Sequence, residues 1–111
     1  MSYQALSATR TFDGGGDGTS WNDCDNWSGN SCPDPDGDNV IIPSGFNVVN
    51  NTGGEIKFED ESSLTLNGSL DMSGKKLKFE ENKCNLIIGA TGVLTNTSEL
   101  KLKTSNNHSI A

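Results

Sequence analysis

Residues 63–79 read SLTLNGSLDMSGKKLKF, which is three short bursts of alternating apolar and polar residues separated by glycine-containing turns. Such alternation is typical of a β-strand with one buried face. The same signal continues on both sides of this stretch, whereas apolar residues at helical spacing are missing from the chain. The sequence therefore predicts an all-β protein, with strand bursts at Val40/Ile42, Ile56/Phe58, Leu64/Leu66, Leu70/Met72, Leu77/Phe79, Leu86/Ile88 and Leu100/Leu102.

The bursts also repeat, at intervals of 21 to 24 residues. A fixed period of this size is the signature of a solenoid, in which each repeat stacks on the next. Four columns hold the same class of side chain when the chain is written in three rows: Ile42/Leu66/Ile88, Val48/Leu70/Leu94, Ile56/Leu77/Leu100 and Phe58/Phe79/Leu102. Because each row contains three bursts and three turns, we predict a parallel β-helix of about three coils. A small antiparallel β-sandwich is the alternative, although it explains the alternation and not the columns.

Charge is concentrated in the first third of the chain. The 111 residues carry 8 Lys and Arg against 15 Asp and Glu, a net charge of −7, and seven Asp lie within the first 38 residues beside Arg10. This acidic segment repels phosphate backbones and the remaining lysines are interleaved with Glu, so nucleic-acid binding is not expected. No apolar run approaches the ~20 residues of a membrane span, and residues 1–10 lack the regions of a secretion signal. We therefore expect no membrane insertion, and any signal to have been removed already.

Residues 9–45 read TRTFDGGGDGTSWNDCDNWSGNSCPDPDGDNVIIPSG. This segment resembles the opening of β-helical surface proteins of the secreted bacterial adhesin type, common in Bacteroidota and in autotransporter-like passengers. The residues that carry the resemblance are Gly14 to Gly18, Trp21, Asn26, Trp27, Pro33, Asp38 and Val40 to Pro43. The resemblance implies a right-handed parallel β-helix, secretion and membership of a larger surface polypeptide, and it brings no catalytic residues. We divide the single domain into an acidic cap (1–39), three coils (40–103) and a polar tail (104–111).

The cap contains four aromatic residues, Tyr3, Phe12, Trp21 and Trp27, which we expect to lie across the first coil as a lid. Covering is needed because the end of a solenoid presents core side chains and unpaired backbone groups. The alternative role for Trp21 and Trp27 is stacking on the sugar rings of a polysaccharide or other cell-surface ligand. That role requires an open face on at least one indole ring.

Cysteine placement predicts one disulfide. Cys24 and Cys32 lie in a loop of Gly, Asn and Ser that can bring their Cα atoms within bonding distance, and a secreted cap would be stapled by that bond. Cys84 is left over, and as a small buried hydrophobe it needs no further role. Zinc is not expected, because the chain has no C-x-x-C pair and a single His, His108, in the tail.

The aspartates of the cap predict a calcium site. Asp13 and Asp17 flank a Gly-Gly-Gly turn, and Asp34, Asp36 and Asp38 alternate with Pro and Gly. Carboxylate oxygens on tight turns are the ligands that calcium prefers. The alternative is that these residues only form turns.

Catalytic groupings are missing from the sequence. G-x-S-x-G and P-loop motifs do not occur, and Arg10 is the sole Arg. We therefore expect no enzyme but a structural or adhesive module of a larger extracellular surface protein. One alternative is a calcium-assisted carbohydrate-binding module. Another is a unit that self-associates through its C-terminal coil, where Leu94, Leu100 and Leu102 are expected to be exposed.

Overall fold

The computed structural model of the protein describes residues 8–80, 84–103 and 109–110, the last two by their backbone alone. The described residues form an all-β structure with two single-turn 3₁₀ helices, Cys24–Asn26 and Ser28–Asn30. The strands are β1 (Thr9–Thr11), β2 (Asn39–Ile42), β3 (Asn47–Val49), β4 (Ile56–Phe58), β5 (Ser63–Leu66), β6 (Ser69–Asp71), β7 (Lys76–Phe79), β8 (Asn85–Ile88), β9 (Val93–Thr95), β10 (Glu99–Leu102) and β11 (Ser109–Ile110). The predicted lid residue Tyr3 and the tail residue His108 lie outside the described residues.

The strands form three parallel sheets. Sheet 1 has the order β1-β2-β5-β8-β11, sheet 2 the order β3-β6-β9 and sheet 3 the order β4-β7-β10. From β2 onward, three consecutive strands enter the three sheets in turn, and we call each such set a row: β2 to β4, β5 to β7 and β8 to β10. All paired strands of the described residues are parallel, which contradicts the antiparallel sandwich alternative.

The strand register pairs the columns predicted from the sequence. Ile42 lies beside Leu66 and Leu66 beside Ile88 in sheet 1. The other three columns are paired in the same way in sheets 2 and 3. Phe58 and Phe79 stack with ring centroids 4.8 Å apart and planes 9° from parallel. The four predicted columns are therefore confirmed, and their members in the first two rows are buried.

The first two rows approach each other closely at the corner after sheet 1. The N–H of Gly68 donates to the carbonyl oxygen of Ile42. A Cβ atom at Gly68 would collide with the carbonyl oxygens of Pro43 and Phe46. Only glycine therefore lets the turn of the second row lie directly against the turn of the first.

The N-terminal segment, residues 8–38, lies against the first row of the stack. Strand β1 pairs with β2 in sheet 1, and Ser20 forms a parallel bridge with Val49 of β3. Asp36 forms a parallel bridge with Glu59, directly after β4 in sheet 3. Residues 8–38 thus contact the outer edge of the first row in all three sheets, by a three-residue ladder in sheet 1 and by a single bridge in each of the other two.

The opposite end of the stack is paired along one sheet. Strand β11 pairs with β8 in sheet 1, so two residues of the predicted polar tail form a strand. Sheets 2 and 3 end at β9 and β10 within residues 8–80, 84–103 and 109–110. The two ends of the stack therefore differ in how completely their edges are covered.

Candidate functional site

Asn26 organises the loop formed by residues 13–20. Its side chain is completely buried, although the carboxamide has four hydrogen-bonding positions to satisfy. The oxygen Oδ1 accepts from the peptide N–H groups of Gly16 (2.8 Å) and Gly18 (2.9 Å), and Nδ2 donates to Asp17 Oδ1 (2.8 Å) and to the Ser20 carbonyl (2.9 Å). All four positions are therefore used in holding the glycine-rich loop in one conformation.

Asp17 is a second organiser of the same loop. Its carboxylate accepts from the Ser20 hydroxyl, from the peptide N–H groups of Ser20 and Thr19, and from the Asn26 amide. These hydrogen bonds, with that from the Ser20 hydroxyl as the largest cause, hold the pKa of Asp17 well below its usual value. The carboxylate is thus charged and has its donors supplied by the protein.

Asp38 ties the residue that precedes β1 to the turn that precedes β2. Its Oδ1 accepts from the peptide N–H of Ala8 at 3.0 Å, and its Oδ2 accepts from that of Asp34 at 2.9 Å. Arg10 Nε lies 3.8 Å from Asp38 Oδ2, and the Arg10 guanidinium also donates to the Ser28 carbonyl. This mostly buried ion pair joins β1, the second 3₁₀ helix and the turn of residues 34–38.

The five aspartates predicted to bind calcium are held in two separate hydrogen-bonded turns. Asp13 Oδ1 accepts from the N–H of Gly15, and Asp34 Oδ1 accepts from that of Asp36. Among the described residues, no three His, Cys, Asp or Glu side chains are grouped so that they could hold a metal ion. The turn-forming role of these carboxylates is therefore visible in the structure, and calcium binding stays a prediction.

Asp36 instead faces Asp60, a residue that the sequence did not single out. The hydrogen bond between the two carboxyl groups is the largest cause that raises the pKa of Asp36, to about 6. Asp60 lies in the turn after β4, in the left-handed backbone region (φ 57°). The structure thus brings together an acidic pair, with one residue in the cap and one in the first row. The sequence does not reveal this pair, because it depends on how the cap lies against that row.

Both tryptophans are core residues of the cap. Trp21 is 3% exposed and Trp27 is completely buried. Their rings meet edge to face at 5.0 Å, Phe12 packs on Trp27 at 5.1 Å, and Trp27 Nε1 donates to the Trp21 carbonyl at 2.7 Å. Neither indole has an open face on which a sugar ring could stack, which is the arrangement expected of lid residues and not of the alternative, a sugar-binding platform.

The predicted cysteine states are confirmed. Cys24 and Cys32 form a disulfide, with Cα atoms 4.4 Å apart. The bond closes the loop that carries both 3₁₀ helices. Cys84 is a buried free thiol that contacts Ser62 and donates to the Asp60 carbonyl at 3.2 Å.

Sheet 3 has an outer surface made of alternating lysine and glutamate, which we call the charged face. Its nine residues, in rows, are Glu55, Lys57 and Glu59; Lys76, Lys78 and Glu80; and Glu99, Lys101 and Lys103. Four ion pairs link them at 3.2 to 3.9 Å: Lys78–Glu55, Lys76–Glu99, Lys57–Glu59 and Lys101–Glu80. Hydrogen bonding to Glu55 is the main cause that raises the pKa of Lys78. The lysines of one column are thus held by glutamates of the neighbouring columns.

The third row has inward-facing side chains that are less well covered than their counterparts. Leu100 is 37% exposed, whereas Ile56 and Leu77 in the same column are 3% and 0% exposed. Leu94 and Leu102 are half-buried and pack against the core. The sequence-based expectation of exposed leucines therefore holds for Leu100 and is too strong for Leu94 and Leu102.

No helix in the described parts of the chain is both long and apolar enough to cross a membrane. Comparisons with protein-family models, with curated proteins and with solved structures found no match.

Proposed function

We propose that this chain is a capped, right-handed parallel β-helix that serves as a structural or adhesive module of a larger extracellular surface protein. One observation carries the proposal: residues 8–38 pair with all three sheets at one end of a stack whose rows repeat in register. A repeated row is a means of building length, and a cap is a means of ending the stack.

Handedness and compartment are supported by general rules. Crossover connections between parallel strands of one sheet are right-handed in about 98% of cases, which favours a right-handed path through the three sheets. The Cys24–Cys32 disulfide fits an oxidising compartment, because cytosolic thiols are kept reduced. The groups that would serve catalysis elsewhere, such as the carboxylates of Asp17 and Asp38, are engaged in holding the cap together.

Duplication of one row tests the proposal. We would insert a second copy of residues 63–84 after Cys84, which repeats β5 to β7 and restores the phase of every column. The added row should fold between its neighbours, lengthen the stack by about 4.8 Å in small-angle scattering, and leave the urea midpoint equal or higher.

A half-row insertion is the matched control. A second copy of residues 63–73 alone, inserted at the same position, adds two strands and moves every later strand into the wrong sheet. This variant should therefore unfold at a lower urea concentration. If both insertions destabilise the protein equally, the rows are not interchangeable units and the proposal fails.

A further inference from the structure

The outer edge of β10 is open in sheet 3. Within residues 8–80, 84–103 and 109–110, no strand pairs with the side of β10 that faces away from β7. An open strand edge with an apolar inner face is a template for pairing with another chain. Leu100, which is 37% exposed, lies at this edge.

The edge reads Glu99-Leu100-Lys101, so its charges are complementary to those of a second copy that runs in the opposite direction. In an antiparallel pair, residues directly opposite each other point to the same side of the sheet. With Leu100 opposite Leu100 of a second copy, each Glu99 lies opposite a Lys101, and the leucines meet on the inner side. Opposite charges in such cross-strand positions stabilise the pair.

This arrangement continues the pattern of the charged face. The column Glu55, Lys76 and Glu99 alternates in sign, and Lys101 of a second copy would extend the alternation by one step. Lys101 itself already follows two lysines in its column, Lys57 and Lys78, and would gain a glutamate as its next neighbour.

We propose that two copies of this chain dock through their third rows about a two-fold axis, with the β10 strands antiparallel and Leu100 on the axis. A two-fold contact buries the same surface of both copies and closes on itself. The inference goes beyond the module proposed above, because it assigns a specific occupant to the open end.

Sedimentation of the whole chain up to about 1 mM tests the contact, since a short edge pair predicts weak association. The unmodified chain should form dimers as concentration rises. Lys101→Glu places two like-charge pairs at the contact and should weaken dimerisation by about tenfold. Lys57→Glu makes the same charge change in the same column at the far row and should leave dimerisation unchanged.

A mixing experiment distinguishes this register from any other contact. Glu99→Lys alone and Lys101→Glu alone each create like charges in their own dimers. Mixed together, the two variants place lysine opposite glutamate at both positions, so heterodimers should form with affinity close to that of the unmodified chain. Thermal melts of each variant establish that it is folded before its association is measured.

Three outcomes would overturn the proposal. The unmodified chain could remain monomeric at about 1 mM, which would leave the open end to another segment or partner. Lys57→Glu could weaken dimers as much as Lys101→Glu does, which would indicate a general charge effect. The mixture could fail to form heterodimers, which would contradict the register centred on Leu100.

Discussion

Replacing Asn26 with alanine should release the cap while leaving the rows intact. The change removes a completely buried carboxamide that makes four hydrogen bonds inside the loop of residues 13–20. The peptide N–H groups of Gly16 and Gly18 and the carbonyl of Ser20 lose their partners. Water must then enter the loop, or these groups stay buried and unsatisfied.

The expected cost follows from the number of groups affected. A typical hydrogen bond contributes about 0.5 to 1.5 kcal/mol net to stability, so four of them set a range of about 2 to 6 kcal/mol for Asn26→Ala. Partial exposure of the loop lets water compensate for some of the loss, which favours the middle of that range. Asn47→Ala is the matched control, because Asn47 is exposed and accepts one hydrogen bond, from the Ser69 hydroxyl. Its cost should be below about 0.5 kcal/mol.

Urea unfolding followed by tryptophan fluorescence is the appropriate assay. Both tryptophans of the chain, Trp21 and Trp27, are buried in the cap, so fluorescence reports on the cap itself. Circular dichroism of the strands measures the rows in the same samples. A loss of less than about 1 kcal/mol by fluorescence for Asn26→Ala would refute the view that this residue holds the cap together.

Four other predictions concern the core, the thiols, pH and calcium. Leu66→Asp places an unpaired charge between two rows and should prevent cooperative melting, whereas Thr65→Asp, on the outer side of the same strand, should be tolerated. Thiol titration of the denatured, unreduced protein should find one reactive group, Cys84, and reduction should reveal three. Because the pKa of Asp36 is raised to about 6 from 3.8, the proton it binds in the folded state favours folding below about pH 4, and this contribution is lost as pH rises through about 6. The slope of urea midpoint against pH between these values should flatten in Asp36→Asn. If the cap aspartates bind calcium as the sequence predicts, calcium at about 1 mM should raise the melting temperature, whereas an unchanged value would leave these carboxylates as turn formers only.

The row structure could be predicted from the sequence because packing imposes it directly on residue choice. Alternation defines which residues face inward, and the recurrence of Phe58 at Phe79 defines which rows are neighbours. The register between neighbouring rows is then determined, because a shift of one residue would point Ile56 and Leu77 outward. The two-residue strand β11 carries no such signal, because Ser109 and Ile110 are too few to show alternation.

The chemistry of the cap could not be predicted in the same way. The carboxylate oxygens of an Asp beside Gly can accept hydrogen bonds from backbone N–H groups, and they can also bind a metal ion. Composition alone therefore does not distinguish a turn from a metal site. The hydrogen bonds of Asp17 depend on Asn26, nine residues later, and the pKa of Asp36 depends on Asp60, which belongs to the first row. Both contacts depend on how residues 8–38 fold on themselves and onto the first row, and no periodic pattern in the sequence indicates that path.

Charge at the open end selects one mode of association over another. A parallel, in-register contact between two β10 strands would place Glu99 on Glu99 and Lys101 on Lys101, whereas the antiparallel contact pairs each Glu99 with a Lys101. The antiparallel contact occupies the outer edge of β10 in both copies and closes on itself. At the opposite end of the stack, residues 8–38 contact the outer edge of the first row in all three sheets. A contact that closes on itself favours a dimer over a fibre, so Lys101→Glu should weaken dimers without producing larger aggregates.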